Sequence, residues 1–403
     1  MESIQLESQK KMRSNNFIKL LAVSAGHFTN DFYMNLIPPI LFIFTSVMGL
    51  SLTQQAVIAF VITSSSTFAQ PVIGFLVDKH GKPWYLIVSI IWIGFWMSLA
   101  GLVNNYYLLL LVAGLGALAS ALYHPMGSAA AIRLGTRAKG TSLSIFMTIG
   151  GFATALPPLI LLPVVKSYGL NAIVYFMIPG FIIALLMYLA GVQHIEVVSN
   201  STNTTKEHKN YDSHTIKWVS VLVLIATYRI LITRILLTFG IQLLLLKQVD
   251  LEIAALILSS YLFLSAAGTI TGGVLNDFIG SKNVIIITNI GATICMIVMY
   301  VSSGWLLIAS FTVLGFILTG SNTANIVMAH ELLPDNINFG TGLIMGLAGG
   351  LAGLGILLYG SLADHYGLLS TTGFLIIPLA AINILAILLP KGNSKELSDG
   401  LSE

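Results

Sequence analysis

Two stretches of this chain repeat each other about 199 residues apart, and no other feature narrows its fold as much. Gly74-Phe75-Leu76-Val77-Asp78-Lys79-His80-Gly81-Lys82 returns as Gly273-Val274-Leu275-Asn276-Asp277-Phe278-Ile279-Gly280-Ser281-Lys282, with one extra residue before the lysine. The register persists beyond this loop. Gly140-Thr141 reappears as Gly340-Thr341, Gly150-Gly151 as Gly349-Gly350, and Tyr168-Gly169-Leu170 as Tyr366-Gly367-Leu368. Offsets held between 198 and 200 at separated places imply two tandem copies of one unit, each far longer than a solenoid repeat.

Both copies lie in apolar sequence. Of 403 residues, 56% are hydrophobic and only 9% charged, which argues against a soluble globule. Runs of about 20 apolar residues suffice to cross roughly 30 Å of hydrocarbon as helix. Twelve such runs are read: 17–46, 53–77, 83–103, 106–132, 140–165 and 171–193, then 216–246, 252–276, 283–302, 305–330, 339–363 and 370–389. The expected fold is an all-α membrane protein of twelve transmembrane helices in two six-helix halves. Its expected divisions are a cytoplasmic tail over 1–16, a bundle over 17–193, a polar cytoplasmic linker over 194–215, a second bundle over 216–390 and a tail over 391–403. The first span is too long for a signal-peptide core and lacks a small-residue cleavage site, so it is expected to be retained.

Basic residues set the expected orientation. With the N-terminus inside, Lys10, Lys11, Arg13, Lys19, Lys79, Lys82, Arg133, Arg137, Lys139, Lys206, Lys209, Lys217, Lys282, Lys391 and Lys395 are all cytoplasmic, fifteen of the nineteen Lys plus Arg. Only Lys166 and Lys247 fall outside, as the positive-inside bias requires. Both termini are then cytoplasmic, in a multi-pass protein of the inner (cytoplasmic) membrane. The same residues are topology determinants scattered through short loops, so no nucleic-acid partner is expected.

Several chemistries are not expected. Cys295 is the single cysteine, so no intrachain disulfide can form. No Cys/His cluster at metal-ligand spacing and no P-loop pattern occur, so no metal, no cofactor and no ATP-driven pump are expected. No nucleophile–base constellation suggests an enzyme. Gly342, Gly346, Gly349, Gly350, Gly353 and Gly355 in the eleventh span follow no strand; they are expected to serve close helix packing and bending, not nucleotide binding.

Ionisable groups inside a membrane are expensive and face the bundle interior. Asp31 is the only acidic residue well inside an apolar span. His27, Asp31 and Asn35, spaced i, i+4 and i+8, give one polar stripe over two turns. Such an aspartate can exchange protons as its surroundings alternate between wet and closed; the alternative is a permanently paired structural group. His124 precedes Pro125, which removes a backbone donor and favours a kink; it reads either as a packing histidine or as a ligand. Arg229 and Arg234 lie five positions apart in the seventh span, hence roughly 140° apart around the helix, and cannot both face one narrow cavity. Asn322 and Asn325 share a face of the tenth span.

The repeated Gly-x-x-x-Asp-x-x-Gly-(x)-Lys loop resembles the loop between the second and third helices of the major facilitator superfamily, recurring between the eighth and ninth. The resemblance covers essentially the whole chain. It implies that Gly74, Asp78, Gly81 and Lys82 form a cytoplasmic gate motif, with Asp78 as a latch, Arg133 or Arg137 as its partner, and Asp277 in the second copy. Within the superfamily, His27-Phe28-Thr29-Asn30-Asp31-Phe32-Tyr33, Tyr123-His124-Pro125-x-x-Ser128, Gly140-Thr141-Ser142-Leu143-Ser144-Ile145-Phe146, Glu331-Leu332-Leu333-Pro334 and Gly360-x-Leu362-Ala363-Asp364 resemble the fosmidomycin-resistance-type efflux proteins. The chain departs from that pattern at Met126 (usually glutamate), Ala129 (commonly arginine) and His330 (commonly glutamine).

The resemblance implies a secondary active transporter with a site between the halves, lined by the first, fourth, seventh and tenth helices. Asp31 and His27 would carry the proton. Asn30, Asn35, Tyr123, His124, Tyr228, Arg229, Arg234, Asn322 and Asn325 would contact substrate, with Arg229 matching a family arginine and binding an anion or pairing with Asp31. The expected function is proton-coupled efflux of a small drug-like or anionic compound by a monomer. The alternatives are proton-coupled uptake of an organic acid or other metabolite and, less favoured, a non-transporting membrane sensor.

Overall fold

The computed structural model describes residues 2–135, 139–195 and 212–390, with side chains at 2–14, 71, 74–75, 77–80, 139–141, 335 and 337–338 outside the described set. The 194–215 linker therefore lies mostly outside it, as do the C-terminal tail and all but the last two of the N-terminal tail's side chains. Every regular element among the described residues is helical. Among the described residues, eleven segments are long and apolar enough to cross a membrane: Asn15–Met48, Tyr85–Leu102, Tyr106–Leu134, Ser142–Tyr168, Leu170–Leu189, Ser213–Leu246, Leu251–Ile279, Ser281–Val301, Gly304–Leu332, Phe339–Tyr366 and Leu368–Leu388. The 29-residue helix Leu52–His80 fills the remaining place in the expected order.

Several spans are broken where the sequence removes donors or relaxes the backbone. The first helix, Glu2–Met34, stops before Pro38-Pro39, and the span resumes at Leu41–Met48 after a short 3₁₀ turn. Neither proline can donate to the preceding turn. The fifth span breaks between Lys139–Ala153 and Leu156–Tyr168, where Pro157 and Pro158 follow Leu156 in the first turn, whose N–H groups have no intrahelical partner. The tenth breaks between Gly304–Thr319 and Asn322–Leu332. Around Pro125 the Tyr106–Leu134 helix is continuous.

The chain forms two compact units. The first comprises Met1–Gly49 and Val61–Thr204, the second Leu50–Phe60 and Thr205–Glu403. Residues 50–60 thus fall with the C-terminal unit, whereas the sequence reading placed them in the N-terminal bundle. Asp364 explains part of this. Its Oδ1 accepts the Leu52 backbone N–H at 2.7 Å and its Oδ2 the Thr53 backbone N–H at 2.9 Å. Those amides are orphan donors at the start of a helix, and a carboxylate there also complements the helix dipole.

The core of the first unit gathers Leu20, Val23, Leu86, Ile90, Tyr123, Phe146 and Met187. Met126 belongs to it and is only 1% exposed. At this position, where the related pattern carries glutamate, the side chain is apolar packing. The second unit has a core of its own around Leu222, Ile225, Val284, Met328 and Ile382. Its closest helix contact joins Leu251–Ile279 to Gly304–Thr319. A Cβ on Gly272 would stand 1.7 Å from the Gly320 carbonyl oxygen, and one on Gly268 2.1 Å from that of Phe316. Without a hydrophobic drive between helices in lipid, such small-residue contacts supply the packing.

The eleventh-span glycines behave differently from the expectation. A Cβ on Gly342, Gly346 or Gly349 would meet nothing within 4 Å, whereas one on Gly355 would press on Leu231. The backbone passes instead through a π-helical stretch, Leu343–Leu347. These glycines loosen the helix more than they tighten its packing. In the repeated loop, Gly280 (φ +80°) turns the chain between Leu251–Ile279 and Ser281–Val301, a conformation that disfavours any side chain.

Candidate functional site

Three helices of the first unit converge on one polar cluster. Glu2–Met34 supplies His27, Asn30 and Asp31; Tyr106–Leu134 supplies Ser120 and His124; Lys139–Ala153 supplies Phe146 and Gly150.

His27 is held on every side. Its Nδ1 lies 2.7 Å from the Phe146 carbonyl oxygen. A carbonyl only accepts, so Nδ1 carries the proton and a neutral ring presents its lone pair at Nε2. The imidazole stacks on the Phe146 ring with centroids 4.0 Å apart and planes 6° from parallel. A Cβ on Gly150 would stand 2.3 Å from the ring, so glycine alone leaves the space it occupies. His27 is 2% exposed, and its Nε2 has no hydrogen-bond partner.

Asp31 sits between two imidazoles. Its Oδ2 is 3.4 Å from His27 Nε2 and its Oδ1 is 3.4 Å from His124 Nε2. Asn30 is completely buried; its Nδ2 donates to Asp31 Oδ1 at 3.0 Å and to Ser120 Oγ at 3.1 Å, and lies 3.4 Å from His124 Nε2. The Asp31 and His124 side chains remain 16% and 32% exposed, so the cluster opens on their side. A carboxylate between two imidazoles, fixed by a neutral amide, gathers several lone pairs that a proton or another cation can engage. The three ligand atoms all lie within 4.8 Å of one another, close enough to share a metal ion. No spacing rule reveals this group, because His124 arrives from a different helix.

Other predicted site residues have hydroxyls, amides or guanidinium groups committed elsewhere. Asn35 was expected to continue the polar stripe, but the helix ends at Met34 and the Asn35 amide donates to the Asp31 backbone oxygen at 2.8 Å. Tyr123 is fully buried and donates to the Val23 carbonyl at 2.6 Å, tying two helices together. Gly26 makes room for that hydroxyl, since a Cβ there would stand 2.1 Å from it. Tyr228 donates to the Leu375 carbonyl at 2.6 Å.

Arg229 is the clearest correction. It is 2% exposed and points into packing within the second unit. Nη1 donates to Asn289 Oδ1 and to Thr288 Oγ1 at 3.3 Å; Nη2 donates to Leu318 O and to Ile317 O at 2.8 Å. Both terminal nitrogens are already used by uncharged acceptors, so this fork is not presented to an anion. The 140° separation meant that one arginine had to face packing; it is Arg229, while Arg234 is only partly buried. In the tenth span, Asn325 is buried and bonds weakly to Ser321 Oγ at 3.4 Å, and partly buried Asn322 approaches Thr269 Oγ1 at 3.5 Å.

For the gate motif, the side chains of Gly74 and Asp78 lie outside the described residues, as does Arg137. Lys82 is exposed just beyond the helix end, next to partly buried Gly81, and Arg133 is exposed in the last turn of Tyr106–Leu134; Asp277 is exposed as well. Sequence reasoning missed Phe146, Gly150 and Ser120 as supports of the cluster. Phe146 and Gly150 are four residues apart on one helical face, and Gly150 stands in the internal repeat. That repeat was the available signal.

Comparison with known proteins accords with this architecture. The family model described as the Major Facilitator Superfamily matches residues 23–246 and 231–400. The fosmidomycin resistance protein of Escherichia coli (strain K12) is 29% identical over 351 residues, 85% of this chain and 86% of that protein. The uncharacterized MFS-type transporter YfnC of Bacillus subtilis (strain 168) is 28% identical over 383 residues, 92% of each chain. Among solved structures, a bacterial homologue of the human lysosomal transporter Spinster, inward-facing and occupied, superposes with a TM-score of 0.74 at 15% identity, covering 92% of this chain and 96% of that one. The last likeness is one of fold.

Proposed function

The chain belongs to the Major Facilitator Superfamily and is a multi-pass membrane transporter, and from that premise we propose that it exports a small drug-like or anionic compound in exchange for protons. One observation carries the reading: Asp31 lies 3.4 Å from each of two imidazoles at a buried but open-sided cluster. A lone buried carboxylate would stay neutral, and one locked to an arginine would stay charged. With two histidines and no fixed cation as its ion-pair partners among the described residues, Asp31 can change protonation as access alternates. Efflux is the preferred direction because the Escherichia coli relative is named for fosmidomycin resistance. We place the protein in the cytoplasmic membrane with both termini inside, on the basic-residue asymmetry of its loops.

The substrate class is tested with purified protein in proteoliposomes carrying an imposed pH gradient. Fosmidomycin, a phosphonate, is the first probe, followed by neutral drug-like compounds. Export coupled to protons predicts that a substrate gradient moves protons the opposite way. Proton movement in the same direction as substrate would mean uptake by symport, and no substrate-driven proton movement with any compound would remove the coupling claim.

A further inference from the structure

We propose that His27, Asp31 and His124 form a binding site for a divalent transition-metal ion of the zinc type. The donor set is two imidazole nitrogens and one carboxylate oxygen, which suits such ions and leaves a coordination position open.

The tautomer of His27 makes the case specific. Because Nδ1–H is spent on the Phe146 carbonyl, the Nε2 lone pair is directed at Asp31 Oδ2, 3.4 Å away. Two acceptors then face each other in a buried place, and Nε2 has no other partner. Something positive belongs between them: a proton, or a metal ion. An imidazole whose far nitrogen donates to a backbone carbonyl is also the arrangement by which proteins orient metal-binding histidines.

Distances agree. Around a tetrahedral ion with bonds of about 2.0–2.1 Å, neighbouring ligand atoms stand about 3.4 Å apart. Here each imidazole stands at that separation from one carboxylate oxygen: His27 Nε2 is 3.4 Å from Asp31 Oδ2 and His124 Nε2 is 3.4 Å from Asp31 Oδ1. One ligand atom from each residue lies within 4.8 Å of the others, so a shared ion draws the group together, with the more exposed His124 the side chain freest to turn. Rigidity and access are both provided. His27 is fixed between Phe146 and Gly150, while Asp31 and His124 supply the open side through which an ion enters and where water completes its coordination. Asn30 Nδ2 donates to Asp31 Oδ1 at 3.0 Å, which orients the carboxylate and leaves Oδ2 towards His27.

Metal binding does not rest on the transport reading, since a protein that moves no proton can still bind the ion. The transport assay above is run with a chelator present, so failure of one claim leaves the other standing. The test uses the purified full-length protein with its affinity tag removed and titrates it with Co²⁺ or Zn²⁺ alone. One equivalent of Co²⁺ is expected to give the intense visible absorption of a four-coordinate site, and Zn²⁺ to displace it. His124→Ala and Asp31→Asn should each weaken binding at least about tenfold, whereas replacing the exposed His214 and His365 should change nothing. Thermal unfolding without metal establishes that each variant is folded; should Asp31→Asn not fold, His124→Ala, at the more exposed ligand, decides the question. Binding that survives both cluster variants, or Co²⁺ uptake no stronger than that of the surface histidines, would overturn the proposal.

Discussion

Replacing Arg229 by alanine removes a guanidinium that makes four hydrogen bonds to Thr288, Asn289, Ile317 and Leu318. Interhelical bonds in a membrane are worth about 0.6 kcal/mol each on average and up to about 1.7, so the set contributes roughly 2–7 kcal/mol. The lost side-chain volume makes a cavity that costs about 2–5 kcal/mol. Relief from burying a charge offsets part of both. A net loss of about 3–5 kcal/mol is expected, which at roughly 2–4 °C per kcal/mol lowers the melting temperature by about 10 °C. Arg229→Met should be milder, because it keeps much of the volume and mainly leaves Asn289 Oδ1 unpaired, a cost of about 1–3 kcal/mol. Adding Asn289→Leu removes that orphan, so the double variant should melt near the wild type. The assay is thermal unfolding in detergent, read as loss of the monodisperse protein peak. If Arg229→Ala melts within about 2 °C of wild type yet loses fosmidomycin binding selectively against a neutral ligand, the arginine selects substrate and the packing argument is wrong.

Further outcomes follow from the same geometry. Gly150→Ala should displace the His27 ring, because the new methyl would stand 2.3 Å from it; gradient-driven transport should fall sharply with expression maintained, and unchanged transport would show that the ring position is irrelevant. Asp364→Ala should cost about 1 kcal/mol as a lost helix cap and speed hydrogen exchange at the Leu52 and Thr53 amides, whose unchanged protection would discount the cap. Asp212, at the start of Ser213–Leu246, has its carboxyl held below its ordinary value of 3.8 by the Thr215 side chain and backbone N–H. Its folded value is depressed, so this contribution is present above 3.8 and disappears as pH falls through the folded value. Exchange at the Thr215 amide should therefore accelerate in acid beyond its intrinsic pH dependence, and Asp212→Asn should abolish that excess.

The duplication, the spans and the first-helix stripe were legible because they are written in local periodicity and in spacing along one chain. His27 and Asp31 share a helix face one turn apart, so their meeting follows from sequence alone. The arrival of His124 does not, since it depends on how Tyr106–Leu134 packs against Glu2–Met34, a contact made close by Gly26 and the Tyr123–Val23 bond. Asn35 was misread because the stripe assumed one more helical residue before Pro38 than the chain provides. The choice between Arg229 and Arg234 was out of reach for a related reason: periodicity fixes the angle between two side chains, and only packing decides which one faces inward. The eleventh-span glycines share a motif spacing with tight helix contacts, yet three of them face open space.

Asp31 is where the account concentrates its claim, and Asp31→Asn tests it with little change of shape. In proteoliposomes, the variant and wild type are compared in two modes: uptake or release driven by a pH gradient, and substrate counterflow, which needs no net proton movement. The account predicts that Asp31→Asn abolishes gradient-driven transport while counterflow remains measurable. Gradient-driven transport at the wild-type rate in Asp31→Asn would contradict it.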